Sequence, residues 1–253
     1  MLHLAQELQQ SRFLQKQAED IFFYRAASEE TKKIHLSTAK IVFATGGNRS
    51  AKSDTMFAEA AIQMTGIIPD SLKDIYPREK IRCPMRVRLV CKSLTNTWEP
   101  VIKPKLQWNK WSGRGDQGSQ TGHWGWIPQR FLKKGDWTES WSEKYRTLSL
   151  TCGCTIQVMS YENEVEDFSG GSFHLILFDE GPPFPIYREN LMRTMDVGGR
   201  IMIAMTPPDD DSAAWDAAWI YDEIYEKGIP GPKKDPSIDS FTLFTDQNRI
   251  LDP

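Results

Sequence analysis

No stretch of this 253-residue chain holds the ~18–20 consecutive apolar residues that a membrane-spanning helix needs, so no membrane partner is expected. The N-terminus, Met1 to Glu19, is polar and rich in Gln, unlike a secretory signal. Cysteine is scarce. There are four, and Cys152-Gly153-Cys154 is a lone C-x-C without the second pair that a zinc spacing requires. Reduced thiols in a cytoplasm-like compartment are the expectation. His3, His35, His123 and His174 show no ligand spacing and read as structural. There is no internal repeat and no low-complexity segment.

A large excess of either charge is also missing. The net charge of −3 excludes a generic polyanion binder. The distribution is uneven, however. Arg78 to Arg114 carries ten Lys/Arg against two acids, an excess of +8, which leaves −11 on the rest of the chain. This reads either as a basic face that meets nucleic acid or as the solvent side of an edge strand, Arg86-Val87-Arg88.

What is present is ample material for a core: 40% apolar residues, with nine Trp and twelve Phe. A loose helical period covers Leu4 to Phe23. After a polar link, strands are predicted at Ile41–Thr45, Val87–Cys91, Leu175–Asp179, Ile201–Met205 and Phe241–Phe244. Thr147–Leu150 and Thr155–Tyr161 read as a hairpin. Helices are predicted at Lys52–Thr65, at Thr97–Trp111 with interruptions at Pro100 and Pro104, at Tyr187–Asp196, and at Ala213–Lys227 ended by Gly228. Trp111 to Gly135 reads as a surface excursion. Strands alternating with helices predict an α/β fold: a central, mostly parallel sheet flanked by helices, with an N-terminal helix and a small lid-like C-terminal segment.

Lys40-Ile41-Val42-Phe43-Ala44-Thr45 runs into Gly46-Gly47-Asn48-Arg49-Ser50-Ala51-Lys52-Ser53. The phosphate-loop pattern G-x-x-x-x-G-K-[ST] must follow a strand and open a helix, and here it does. Backbone N–H groups of such a loop curl around phosphates at a positive helix end. The Lys52 ammonium would neutralise β- and γ-phosphate oxygens, and Ser53 would ligate Mg²⁺. ATP and Mg²⁺ are therefore the expected cofactors. Ala51 stands where the pattern has Gly. Its methyl either crowds the phosphates or is tolerated where the backbone angle is already helical. Arg49 either contacts the γ-phosphate or pairs outward with an acid. The plainer alternative is a Gly-Gly-Asn turn with a chance Lys-Ser.

Leu175-Ile176-Leu177-Phe178 is a continuous apolar run, as a strand buried on both faces requires. It ends in Asp179-Glu180, at the strand end where open α/β sheets bind ligands. Asp179 is the expected Mg²⁺ carboxylate. Glu180 is expected to orient and deprotonate the attacking water, because phosphoryl transfer depends on positioning and charge. Ile201 to Met205 repeats the logic and ends in Thr206-Pro207-Pro208. Thr206 either touches the γ-phosphate or the lytic water, or is a plain strand end.

In order and context these residues resemble the N-terminal ATPase domain of the large terminase subunit of tailed bacteriophages. GGNRSAKS is similar to that family's Gly-Gly-Asn-Arg-Ser-Gly-Lys-Thr/Ser loop, LILFDE to its acidic strand and MTPP to its coupling motif; the resemblance spans Phe22 to Pro253. It implies a P-loop NTPase of the additional-strand-glutamate class. Such a motor forms a pentameric homo-oligomeric ring on the portal of a procapsid in the host cell cytoplasm and drives double-stranded DNA inward. Its partners would be that DNA, the portal protein and the small terminase subunit.

The resemblance assigns the phosphate-loop pair to Lys52 and Ser53, the loop arginine to Arg49, the acidic pair to Asp179 and Glu180, and coupling to Thr206. It implies an arginine finger from a neighbouring subunit, for which Arg130 is the first candidate and Arg146 the second. It places adenine contacts before the first strand, at Phe23, Tyr24 and Arg25. Three segments follow: 1–36, helical and adenine-side; 37–210, the ATPase core; and 211–253, a lid and linker toward a nuclease domain. Nuclease activity is not expected in residues 1–253. The rival readings are a helicase-like motor and a nucleotide-binding ring scaffold whose turnover Ala51 has weakened.

Lys103 to Arg114 interleaves cations with Trp108 and Trp111. It reads as a DNA-backbone contact or as a helix with Trp inward and Lys outward. Glu162, Glu164, Glu166 and Asp167 read as a solvated loop, as do Asp209-Asp210-Asp211.

Overall fold

A computed structural model of the chain describes residues 2–108, 124–207 and 218–250. The expected N-terminal helix is shorter than its apolar period suggested. Helix α1 (Leu2–Ala18) gives way to a 3₁₀ turn at Asp20–Phe23. Helix α2 (Glu29–Leu36) lies in what read as a polar link. A capping box starts it: Ser28 Oγ accepts from the Thr31 backbone while Thr31 Oγ1 accepts from the Ser28 backbone. Strand β1 (Ile41–Gly46) leads through the loop into α3 (Lys52–Thr65), which ends at Gly66 in the left-handed conformation a C-terminal glycine supplies.

Strand β2 is Arg86–Cys91. The next helical segment is wound as a π-helix over Leu94–Ile102 and then as α4 (Lys103–Leu106). Pro100 sits inside the wide turns, where its missing N–H is tolerated. A short helix α5 (Trp137–Ser140) precedes β3 (Trp141–Ser142), β4 (Thr147–Ser149) and β5 (Thr155–Ser160). Strand β6 (Leu175–Asp179), helix α6 (Phe184–Met195) and strand β7 (Arg200–Met205) follow. Residues 218–228 are helical, and β8 (Ile238–Leu243) closes the fold. The expected contributions of Lys110, Trp111, Arg114, His123, Pro208 and Asp209–Asp211, and the start of the Ala213–Lys227 helix, lie outside the described residues.

The eight strands among the described residues form one sheet in the order β3-β4-β5-β2-β6-β7-β1-β8. From β5 to β8 the neighbours are parallel; β3 and β4 add an antiparallel edge, and the expected hairpin is β4–β5. Helices cover both faces. Leu175 and Leu177 pack under Phe57, Ile62 and Met64 of α3, while Ile176 and Phe178 pack against Ile186 and Tyr187 of α6. Successive residues of one strand thus enter opposite cores, which is why β6 is apolar at every position. Each such side chain stabilises the fold by roughly 1.5–3 kcal/mol.

One expectation changes. Strand β2 is interior, between β5 and β6, so Arg86-Val87-Arg88 is not an edge. Arg88 is 2% exposed and donates to Gln157, to the Phe168 carbonyl and to Asn190, so it offers no charge to a nucleic acid. The segment read as lid and linker holds the strand predicted at Phe241–Phe244, which is β8 (Ile238–Leu243), paired in parallel with β1.

Candidate active site

Parallel pairing of β6, β7 and β1 brings three separate sequence segments to one sheet edge. Asp179 lies opposite Ala204, and Thr45 opposite Met205, so Gly46, Glu180 and Thr206 emerge at the same level. Ser53 Oγ donates to Asp179 Oδ1 at 2.8 Å. Glu180 accepts from Thr206 twice, at 2.9 Å from the backbone N–H and at 3.2 Å from the hydroxyl. The Lys52 ammonium is buried and donates to the carbonyls of Gly46 (2.7 Å) and Gly47 (2.8 Å) and, at 3.4 Å, to Ser50 Oγ. A phosphate oxygen offers the same acceptor chemistry with more charge.

Electrostatics join the motifs. Burial lowers the pKa of Lys52, and the nearby Glu180 and Asp179 carboxylates oppose that shift. Burial pushes Asp179 up to about 6 against the Ser53 hydrogen bond. A buried carboxylate beside a hydroxyl, both hard oxygen donors, fits Mg²⁺.

The backbone is strained where the chemistry is expected. Arg49, Ala51 and Glu180 have φ of 63°, 66° and 77°. Left-handed non-glycine residues cost on the order of 1–3 kcal/mol each and persist only where the surroundings hold them. Ala51 is therefore not at a helical angle, the condition under which its methyl would be free of cost. Gly46 has a different constraint: a Cβ there would lie 2.1 Å from the Leu243 carbonyl oxygen of β8.

Some functional neighbours carry no sequence signal. Thr245 Oγ1 donates to the Asn48 carbonyl (2.8 Å) and Asn248 Nδ2 to the Arg49 carbonyl (2.7 Å), so the chain after β8 straps the phosphate loop. Tyr161 donates to the Glu180 carbonyl at 2.6 Å. Lys105 bonds Asp54 at 3.1 Å, and its charge reaches Asp179. Asp54 follows the motif directly; the others stand in unpatterned sequence.

The peripheral expectations fare differently. A groove of about 910 Å³ opens beside the first turn of α3, lined by Phe22, Phe23, Arg25, Asp54 and Trp126 among others. Tyr24 lines it as well. It is buried, and its hydroxyl lies 2.9 Å from His35 Nε2. Arg130 is exposed and pairs with Glu19 at 2.5 Å, within its own chain. Arg146 lines a small cavity with Trp98 and Trp141. The cations Lys103 and Lys105 pair with Glu99 and Asp54, and Trp108, half-buried just past the end of α4, donates to the Gln17 carbonyl.

No protein-family model and no curated protein sequence matches this chain. Solved structures do. The large terminase of a thermophilic bacteriophage in complex with ADP is 13% identical, with a TM-score of 0.53, covering 89% of this chain and 47% of that one. Another crystal structure of that protein gives 15% identity and a TM-score of 0.50, covering 94% and 46%. The large terminase ATPase domain of Thermus phage P74-26 is 15% identical, with a TM-score of 0.49, covering 88% and 82%. This chain thus spans about half the length of the first protein. At these identities the likeness is one of architecture: over the matched residues the chain has the fold of part of a large terminase, the family its motifs resemble.

Proposed function

We propose that the chain is the ATP-hydrolysing motor domain of a genome-packaging terminase, driving double-stranded DNA into a procapsid. The observation that carries this reading is the convergence of Lys52, Ser53, Asp179, Glu180 and Thr206 on one sheet edge, from segments up to 154 positions apart, with Ser53 bonded to Asp179 and Glu180 to Thr206.

In this reading Lys52 releases the loop carbonyls and takes the β- and γ-phosphate oxygens. Ser53 and Asp179 would hold Mg²⁺, which supplies charge neutralisation at the phosphates. Glu180 positions and deprotonates the water. Its present bonds to Thr206 tie that carboxylate to β7, so freeing it for water requires Thr206 to shift, and hydrolysis is thereby linked to motion. The ring would be a homopentamer on the portal protein in the host cytoplasm, supplied with DNA by the small terminase subunit. A neighbour's arginine, Arg130 before Arg146, would complete each site; Arg130 must first leave Glu19.

Glu180→Ala tests the assignment. It should lower ATP turnover about 100-fold or more while leaving ATP binding nearly intact. Unchanged turnover would remove Glu180 from the chemistry. Wild-type protein that binds ATP and never turns it over, even when assembled, would favour the ring scaffold.

A further inference from the structure

The C-x-C pair that lacks a partner in the sequence gains one in the fold. Cys83, just ahead of β2, lies beside the Cys152-Gly153-Cys154 turn that enters β5, and the three sulfurs are within 4.8 Å of one another. Cys83 Sγ and Cys154 Sγ are 3.5 Å apart. Arg86 lies opposite Thr155 in the parallel β2–β5 pair, so both segments reach the same edge of the sheet, the one remote from the phosphate loop. Gly153 makes the turn at φ 85°, and a Cβ there would come within 3.2 Å of the Pro84 ring. Cys154 is buried, Cys152 half-buried and Cys83 exposed, so the cluster is open to water on one side.

Zinc–sulfur bonds of about 2.3 Å in tetrahedral geometry set sulfurs about 3.8 Å apart, and this cluster is already close to that spacing. The Met85 N–H donates to Cys154 Sγ at 3.3 Å, a bond that favours a thiolate. Cys152 and Cys154 in turn donate to the Met64 carbonyl at the end of α3 (3.6 and 3.4 Å). Burial raises the thiol pKa of Cys83 and Cys154, which favours their neutral forms when no cation is bound. A bound cation reverses that preference.

We propose that Cys83, Cys152 and Cys154 form a three-sulfur site for a thiophilic divalent cation of the zinc type, with water in the fourth position. Binding exchanges three S–H protons for one metal ion: three thiols and M²⁺ give a trithiolate complex of net charge −1 and three released protons. No oxidant or reductant takes part. The site fastens the start of β2 to the start of β5, independently of the nucleotide chemistry, and the Cys152 and Cys154 bonds to the Met64 carbonyl belong to the metal-free thiols.

The test uses the whole chain, reduced and stripped of metal, titrated with Cd²⁺ to read sulfur-to-metal charge-transfer absorption and with Zn²⁺ against a chromophoric chelator. One equivalent should bind, with the intensity of three thiolates, and Zn²⁺ should raise the thermal midpoint. Cys83→Ser, at an exposed position that leaves the fold intact, should weaken binding more than about 100-fold, as should Cys152→Ser, whereas Cys91→Ala should not. Folded protein that takes up no metal overturns the proposal, and so does binding unchanged in both serine variants. Isolation of a Cys83–Cys154 disulfide, with no metal uptake after its reduction, overturns it in favour of a redox pair.

Discussion

Ser53 Oγ donates to the Asp179 carboxylate at 2.8 Å, joining the first turn of the loop helix to the end of a strand 126 residues away. Ser53→Ala removes the donor and leaves a buried carboxylate short of a partner. Stability should fall by about 1–3 kcal/mol in chemical denaturation. Nucleotide binding should lose its Mg²⁺ dependence while metal-free binding stays the same. Equal loss with and without Mg²⁺ would mean the hydroxyl serves only the fold.

Ala51 is held left-handed at φ 66°. Ala51→Gly removes strain of about 1–2 kcal/mol and adds unfolded-state freedom of about 0.5–1 kcal/mol, so stability should rise by up to about 1.5 kcal/mol. Titration with ATP should show tighter binding. A less stable variant would show that the methyl packs usefully.

Asp20 is buried, accepts the Trp124 N–H at 2.6 Å, and is pushed by burial up to about 6 from 3.8. Its folded pKa exceeds its unfolded one, so its contribution is fully present below about pH 4 and is lost as pH rises through 6. The two-unit shift corresponds to at most about 3 kcal/mol. Asp20→Asn keeps an acceptor and cannot ionise. It should therefore match wild type near pH 4 and exceed it by about 1–3 kcal/mol at pH 7. Parallel denaturation curves at the two pH values decide this, and a constant difference would exclude titration of Asp20.

Glu59, on the buried face of α3, gathers His35 (2.7 Å), Lys80 (2.5 Å), Tyr76 (2.9 Å) and Gln63 (2.7 Å). Burial pushes its pKa up, but Lys80 and His35 outweigh that and hold it below the usual range. Glu59→Gln would leave the Lys80 ammonium buried without its counter-charge. Thermal or denaturant unfolding should report a loss of about 3–5 kcal/mol. A neutral result would mean that Lys80 releases its proton or reaches water.

The elements legible in the sequence were those fixed by local pattern. Lys52–Thr65 was found to the residue because a glycine-rich loop precedes it and Gly66 ends it. Leu175–Asp179 was found because two covered faces demand unbroken apolarity. Helix α2 was missed because its start signal is a Thr in place of the usual Glu or Gln and its buried face is short. Arg88 looked solvent-facing because its partners Gln157, Phe168 and Asn190 are 69 to 102 positions away. For the same reason Cys83 looked unrelated to Cys152, 69 positions on. The site motifs were readable as residues, but the Glu180–Thr206 bond was not, since it depends on which strands become neighbours.

The strap from Thr245 and Asn248 gives the phosphate loop an unusual mechanical position. Its carbonyls at 48 and 49 are held by the stretch that leaves the sheet after β8, so a displacement of the chain near Ile250 would reach this loop through two hydrogen bonds. The loop and residues 245–250 are thereby coupled, and a shift of one would distort the other.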